Sequence, residues 1–261
     1  MFYREGRLGG LLFFNSLKKK FIFGIHPVEE ALAKGQTLDK VWIDSGGRNP
    51  KISSLIPAIK EAGIPFVKAP AEKLTYLVSN PNHQGIVAAI SPIAFQSWEE
   101  IVTRCFEAGK DPLLLVLDGI TDVRNFGAIL RTAACAGADA VIIPAKGSAA
   151  VGQDVVTTSS GAVFRIPVCR VEQLHQTVKT LKEHGLRIAA ATEKGKDSLY
   201  NSNLNGPLAI IMGNEEKGVE PALLQLSDIR AAIPMPGGFD SLNVSVATGV
   251  LLFEVLRQRS L

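Results

Sequence analysis

Apolar residues recur along the chain with two periods, and the change from one period to the other marks out the elements. Short β-branched and aromatic runs such as FIFG at 21–24, VWID at 41–44, PFVKA at 65–69 and GIVAAI at 85–90 have the length and content of strands. Between them, IHPVEEALAKG at 25–35 spaces its apolar residues as a helix does and stops at Gly35. The stretch 51–62 repeats the pattern and stops at Gly63, GGRNP before it reads as a turn, and 71–78 is a third helix. This alternation predicts a small layered α/β unit over 21–91. Residues 92–111, with Pro92, read as a linker containing one helix near 98–108.

From 113 onward the runs become almost continuously apolar: LLLVLD (113–118), AVIIP (140–144), RIPV (165–168), RIAAAT (187–192), LAIIMG (208–213) and AAIPM (231–235). Strands buried on both faces read this way, as in a parallel sheet with helices on each side. Helical periods lie at 126–136, 171–184, 221–226 and 244–259. The fold class is therefore α/β, with a mostly parallel sheet over 112–261. The last helix is apolar almost all round, which predicts insertion into the fold or contact with another subunit.

Composition adds limits. A chain of 261 residues, 46% hydrophobic and 20% charged, has enough core material for one large or two modest domains. A net charge of +3 is compatible with a polyanionic partner and equally with an ordinary enzyme. Cys105, Cys135 and Cys169 form no CxxC spacing, so neither a disulfide framework nor a zinc site is expected. All three are expected to be reduced, with Cys135 and Cys169 buried. The four histidines show no metal-ligand spacing, and no metal is expected. No apolar run reaches membrane-spanning length. In residues 1–20 a short apolar stretch broken by Gly9 and Gly10 precedes the basic cluster Lys18–Lys20, the reverse of a secretory signal. A disordered leader, or residues added by an upstream start codon, is expected there, on a cytoplasmic protein.

The commonest phosphate-binding signatures are missing. The strand at 113–118 is followed by DGITDVRNFGAILRTA, without GxGxxG. Gly213–Gly218 has the spacing of a P-loop, but Val219 and Glu220 stand where Lys and Ser/Thr are required. No GxSxG elbow occurs.

Polar and glycine residues instead cluster after three predicted strands, where parallel α/β sheets bind ligands. In the first cluster, Asn125 is a candidate N-cap and Gly127 offers a place for another backbone to approach. Arg131 stands alone among small apolar residues, and it needs either a functional partner or an acid of the same chain. The second cluster, IMGNEEKGV, carries Gly213, Asn214 and Glu215 in a sharp turn, which is either a site or a hairpin-like polar loop. The third, IPMPGGFDSLNVSVA, carries Ile233, Met235, Ser241, Leu242 and Asn243, with Ser241 or Asn243 capping the last helix.

Taken in order, NxGAxxRTA, IxxGNExxG and IPMxGxxxSLNVSVAxGVxxFE resemble the three signature motifs of the SpoU–TrmH class of RNA ribose methyltransferases. FIFGIHPVEEAL and NHQGIVAAI resemble, less specifically, the L30e-like RNA-binding domain of a subgroup that acts on guanosine in large-subunit ribosomal RNA or on transfer RNA. The resemblance implies a trefoil-knotted catalytic domain that binds S-adenosyl-L-methionine (SAM). It places the cofactor on loops holding Thr192 and Glu193, Gly213, Asn214, Ile233, Met235, Ser241 and Leu242. It makes Arg131 the catalytic arginine, with a grip on the RNA phosphate as its favoured role, and places Asn125, Glu215 and Asn243 in the reaction site. It implies a homodimer through the knot and last helix, with RNA as partner. Asn82, His83 and Gln84 are candidate RNA contacts of the first unit. A transfer RNA methyltransferase and a non-catalytic RNA-binding protein are the competing readings.

Overall fold

The computed structural model describes residues 21–47, 49–192, 195 and 197–260, with the side chain of Asp197 left aside. The expected leader and Glu193 lie outside the described residues.

The first layered unit runs β1 (Phe21–Phe23), α1 (Ile25–Ala33), β2 (Leu38–Asp44), α2 (Pro50–Glu61), β3 (Phe66–Ala69), α3 (Ala71–Val78) and β4 (Ile86–Ile90). Its sheet has the order β1-β4-β2-β3, with β4 antiparallel to both β1 and β2, and β2 parallel to β3. Val28, Leu55 and Ile59 of α1 and α2 pack on Val41, Ile43 and Ile86 of the sheet. Of the candidate RNA contacts, two hold the unit together. His83 is buried, with Nδ1 accepting the Gly85 amide at 3.0 Å and Nε2 lying 3.2 Å from Thr75 Oγ1. Gln84 adopts a left-handed φ of 55° and its side-chain oxygen accepts the Ile25 amide, in the first turn of α1, at 3.0 Å. A buried helix start needs such an acceptor. Replacing Gln84 by alanine is expected to cost about 1 kcal/mol in urea unfolding while leaving cofactor affinity unchanged; no loss of stability would refute the capping role.

Helix α4 (Trp98–Glu107) opens at Ser97, whose hydroxyl accepts the Glu100 amide at 3.2 Å. It buries Trp98, Ile101, Val102 and Cys105 against Leu114, Val116 and Ile142 of the second sheet.

That sheet is built from β5 (Leu113–Leu117), α5 (Val123–Cys135), β6 (Ala140–Pro144), α6 (Gln153–Thr158), β7 (Val168–Val171), α7 (Leu174–Glu183), β8 (Arg187–Ala191), β9 (Asp197–Ser198), β10 (Leu208–Met212), α8 (Pro221–Leu226), β11 (Ile229–Ala232) and α9 (Val244–Arg259). Its strand order is β7-β6-β5-β10-β8-β11-β9, and every pairing is parallel. Helices α5 and α9 bury Phe126, Ile129, Leu251 and Val255 on one face. Helices α4, α7 and α8 bury Trp98, Val178, Leu181 and Leu223 on the other. Strand β10 lies between β5 and β8, so the loops after β5, β8 and β10 emerge side by side, as they do at a switch point in strand order. No helix among the described residues is long and apolar enough to cross a membrane.

Several expectations need correction. Helix α5 begins at Val123, and its cap is Asp122, not Asn125: Asp122 Oδ1 accepts the amides of Arg124 at 2.8 Å and Asn125 at 2.9 Å. The strand expected at 165–168 lies at Val168–Val171, because Ala162–Phe164 forms a 3₁₀ turn and Pro167 has no amide for a ladder. Strand β11 ends at Ala232, before Pro234. Helix α6 was not anticipated, because its sequence QDVVTT is short and polar. Cys135 is exposed in the last turn of α5, whereas Cys105 and Cys169 are buried. Burial pushes the Cys169 thiol up to about 12. Helix α9 buries one side only, leaving Val246, Phe253 and Leu256 exposed.

The two units meet at a buried ion pair. The register of β2 against β4 slips between Leu38 and Lys40, so Asp39 occupies a bulge. Its carboxylate pairs with Arg170 of β7, and both side chains are under 10% exposed, at 6% and 7%. Arg170 Nη1 also donates to the Asp39 carbonyl at 3.0 Å, and Asp39 Oδ1 accepts the Val151 amide at 3.2 Å. The guanidinium lies over the Phe95 ring, 3.7 Å from its centre.

Candidate cofactor and catalytic site

The site begins where β10 ends. A β-carbon on Gly213 would sit 2.2 Å from the Gly218 carbonyl carbon and from the Val219 nitrogen, so the chain can fold back here only through glycine. Asn214 and Gly218 exchange two backbone hydrogen bonds, of 3.1 and 2.8 Å. The side chain of Asn214 donates to the Gly119 carbonyl at 2.9 Å and accepts the Glu216 amide at 2.9 Å. The loop is thus a hairpin-like turn tied to the end of β5, and it presents Glu215.

The loop after β11 ends at Asn243, which caps α9: its Oδ1 accepts the Ser245 amide at 2.9 Å and the Ser245 hydroxyl at 2.6 Å. Asn243 is thus the cap, and Ser241 lines the cavity described below. Asn243 Nδ2 donates to Asn125 Oδ1 at 3.1 Å, and Asn125 Nδ2 donates to Glu215 Oε1. One chain of hydrogen bonds therefore joins α5, the β10 loop and the start of α9.

Beside this chain lies a cavity of about 300 Å³. Thr192, Gly213, Asn214, Ile233, Met235, Ser241 and Leu242 all line it, as does Glu215. Ala191, Met212, Ala231, Val244 and Ala247 also line it; their sequence signal was that of ordinary core. Glu216, Lys217 and Asp240 add charge to the wall. Gly195, three residues beyond Thr192, is not among the lining residues. A β-carbon there would lie 2.3 Å from the Arg230 carbonyl oxygen, so the segment after β8 runs hard against the backbone of β11. The volume is at the small end for a ligand site. Apolar walls for a purine, charged groups of both signs for an amino-acid moiety, and a glycine-tight loop fit SAM.

Arg131 stands apart. It follows Asn125 by six residues on α5, about 120° away around the helix, and it does not line the cavity. It is exposed, and its Nη1 donates to Ser160 Oγ at 3.2 Å. Among the described residues no carboxylate forms an ion pair with it, so the alternative of an internal salt bridge does not hold there. Gly127, one turn earlier on the same face, is the site of the expected close approach: a β-carbon would sit 2.1 Å from Thr158 Oγ1 and 2.7 Å from the Thr158 carbonyl carbon.

Comparison with known proteins bears on the family. Residues 112–253 match the model of the SpoU rRNA methylase family, and residues 21–96 match that of the RNA 2′-O ribose methyltransferase substrate-binding domain. The 23S rRNA (guanosine-2′-O-)-methyltransferase RlmB of Photobacterium profundum is 37% identical over 94% of this chain and 100% of its own length. A solved RNA 2′-O ribose methyltransferase is 30% identical, with a TM-score of 0.55 over 92% of this chain and 89% of its own. The SpoU methyltransferase AviRb of Streptomyces viridochromogenes, solved with AdoMet, has a similar fold at 23% identity, with a TM-score of 0.57 over 91% of this chain and 89% of its own. By these matches and by its three joined motifs, the chain belongs to the SpoU rRNA methylase family.

Proposed function

We propose that this protein transfers a methyl group from SAM to the ribose 2′-hydroxyl of a guanosine in 23S rRNA. The observation that carries the reading is the hydrogen-bonded chain Asn243–Asn125–Glu215, which unites three distant segments and ends on Glu215 in the cavity wall, with Asn125 and Asn243 behind it. The full-length relationship to a 23S rRNA guanosine methyltransferase supports ribosomal RNA as the substrate.

SAM supplies an electrophilic sulfonium methyl when bound. The loops carrying Gly213, Asn214, Ile233, Met235, Ser241 and Leu242 hold it, with Thr192 at the end of β8. Asn125 and Asn243 fix the Glu215 carboxylate, which accepts the 2′-hydroxyl proton at a carboxylate oxygen. Arg131 remains protonated and grips an RNA phosphate, for which its planar fork is suited.

The first unit, 21–91, is an L30e-like domain that binds the RNA, 92–111 link it to the second unit, and 112–261 form the methyltransferase domain. That domain is trefoil-knotted, as the tight passage of Gly195 against β11 favours. The protein is a cytoplasmic homodimer, closed through α9 and the knot. The exposed Val246, Phe253 and Leu256 favour this, as does the position of Arg131 away from its own cavity, which a second protomer would bring to a partner site.

Incubation with SAM and unmodified 23S and transfer RNA, followed by ribose-methylation mapping, tests the substrate. One methylated guanosine in 23S rRNA is expected; methylation of transfer RNA alone would favour the competing substrate, and no transfer to either would leave only an RNA-binding protein. Removal of residues 1–92 is expected to reduce transfer to that guanosine by at least about 100-fold with SAM affinity retained. Undiminished modification of the same nucleotide would place target selection in the second unit.

A further inference from the structure

Helix α6 closes on Ser160, which has a left-handed φ of 51°. The Gly161 amide reaches the Val156 carbonyl at 2.9 Å and the Ser160 amide reaches the Thr157 carbonyl at 3.0 Å. This is a Schellman closure with serine in the position that normally takes glycine, because a β-carbon is strained there. Only three non-glycine residues among those described have positive φ. At Gln84 the strain accompanies a side chain that caps a helix. At Ser160 it accompanies a hydroxyl that accepts from Arg131 Nη1.

The placement is built from beneath. Because Gly127 lacks a β-carbon, the end of α6 lies directly on α5, and Thr158 Oγ1 donates to the Val123 carbonyl at 3.1 Å. Ser159 is fully buried, with its hydroxyl accepting the Val163 amide at 3.3 Å. The next residue is thereby fixed over the arginine one turn along α5.

We propose that Ser160 is a positioning residue for Arg131, holding the guanidinium ready for an RNA phosphate without neutralising it. A carboxylate in this place would orient the group and also cancel the charge that an anionic backbone requires. A hydroxyl engages one N–H and leaves the others of the fork for the phosphate. The strained serine is then stability given up for orientation. The inference rests on the role of Arg131 proposed above.

Two full-length variants separate orientation from strain. Ser160→Gly removes both the hydroxyl and the strain, whereas Ser160→Ala removes only the hydroxyl. The glycine variant is expected to melt about 2–4 °C higher and the alanine variant no higher than the parent. Both are expected to lose about tenfold in kcat on the rRNA substrate, with SAM affinity by calorimetry unchanged. In an Arg131→Lys background, Ser160→Gly is expected to change kcat less than twofold. A stabilised glycine variant with parental kcat, or a rate that follows melting temperature across the two variants, would overturn the proposal. Parental activity in Arg131→Ala would instead sink the role of Arg131 itself.

Discussion

Arg131→Ala is expected to lower kcat/KM for methyl transfer by about 10³-fold and to leave the SAM dissociation constant within twofold. The two halves of that result follow from one geometric fact. The guanidinium is exposed, carries no carboxylate partner among the described residues, and stands outside the cavity wall. Its loss therefore removes a contact to RNA and touches nothing that holds the cofactor. Arg131→Lys is expected to recover little, because an ammonium is a point charge and cannot present two parallel N–H groups to a phosphate. Single-turnover transfer to an rRNA fragment, with calorimetry of SAM, measures both halves. Near-normal turnover in the lysine variant would dismiss the bidentate grip, and weakened SAM binding in the alanine variant would move Arg131 into the cofactor site.

Gly213→Ala is expected to weaken SAM binding by about 100-fold or more. The added carbon would meet the backbone of Gly218 and Val219 at 2.2 Å, and no rotamer change relieves a contact with backbone. Nor can the facing backbone easily retreat, since Asn214 and Gly218 are bonded to each other in both directions and Asn214 is anchored to Gly119. Opening the loop withdraws Asn214 and Glu215 from the cavity and leaves Asn125 without its acceptor. Gly152→Ala is the control: a β-carbon there meets nothing within 4 Å, and its φ is one that any residue adopts. Calorimetry with SAM, read beside circular dichroism, tests the pair. Equal affinity in both variants would show that the loop tolerates the displacement.

The sequence revealed the elements whose burial is simple. Strands at Leu113–Leu117 and Ala140–Pro144 are unbroken apolar runs, and α9 begins where Asn243 caps it. Thr192, Gly213, Asn214, Ile233, Met235, Ser241 and Leu242, which line one cavity, were legible through the resemblance of the three motifs to the family, because Ile233, Met235 and Leu242 alone look like ordinary apolar positions. Placement of one element on another was not legible. Asp122 displaced Asn125 as the cap because both are good caps, and only the fold reveals that Asn125 is engaged by Glu215 and Asn243. QDVVTT carries too few apolar residues to announce a helix, so neither α6 nor the backbone strain at Ser160 had a sequence signal. Asp39, one acid in LDKVWID, looks like the solvent side of a strand until the slip in register turns it inward.

That turned-in acid has a mechanical meaning. While the seam is closed, Asp39 and Arg170 satisfy one another, and loss of either partner would leave the other charge buried and unpaired at a cost of several kcal/mol. The pair thus marks where the first unit seats on the second, at the β2 bulge against β7. If the first unit binds the RNA as proposed, this seat works like a caliper jaw, setting how far along the strand a ribose must lie to reach the cavity.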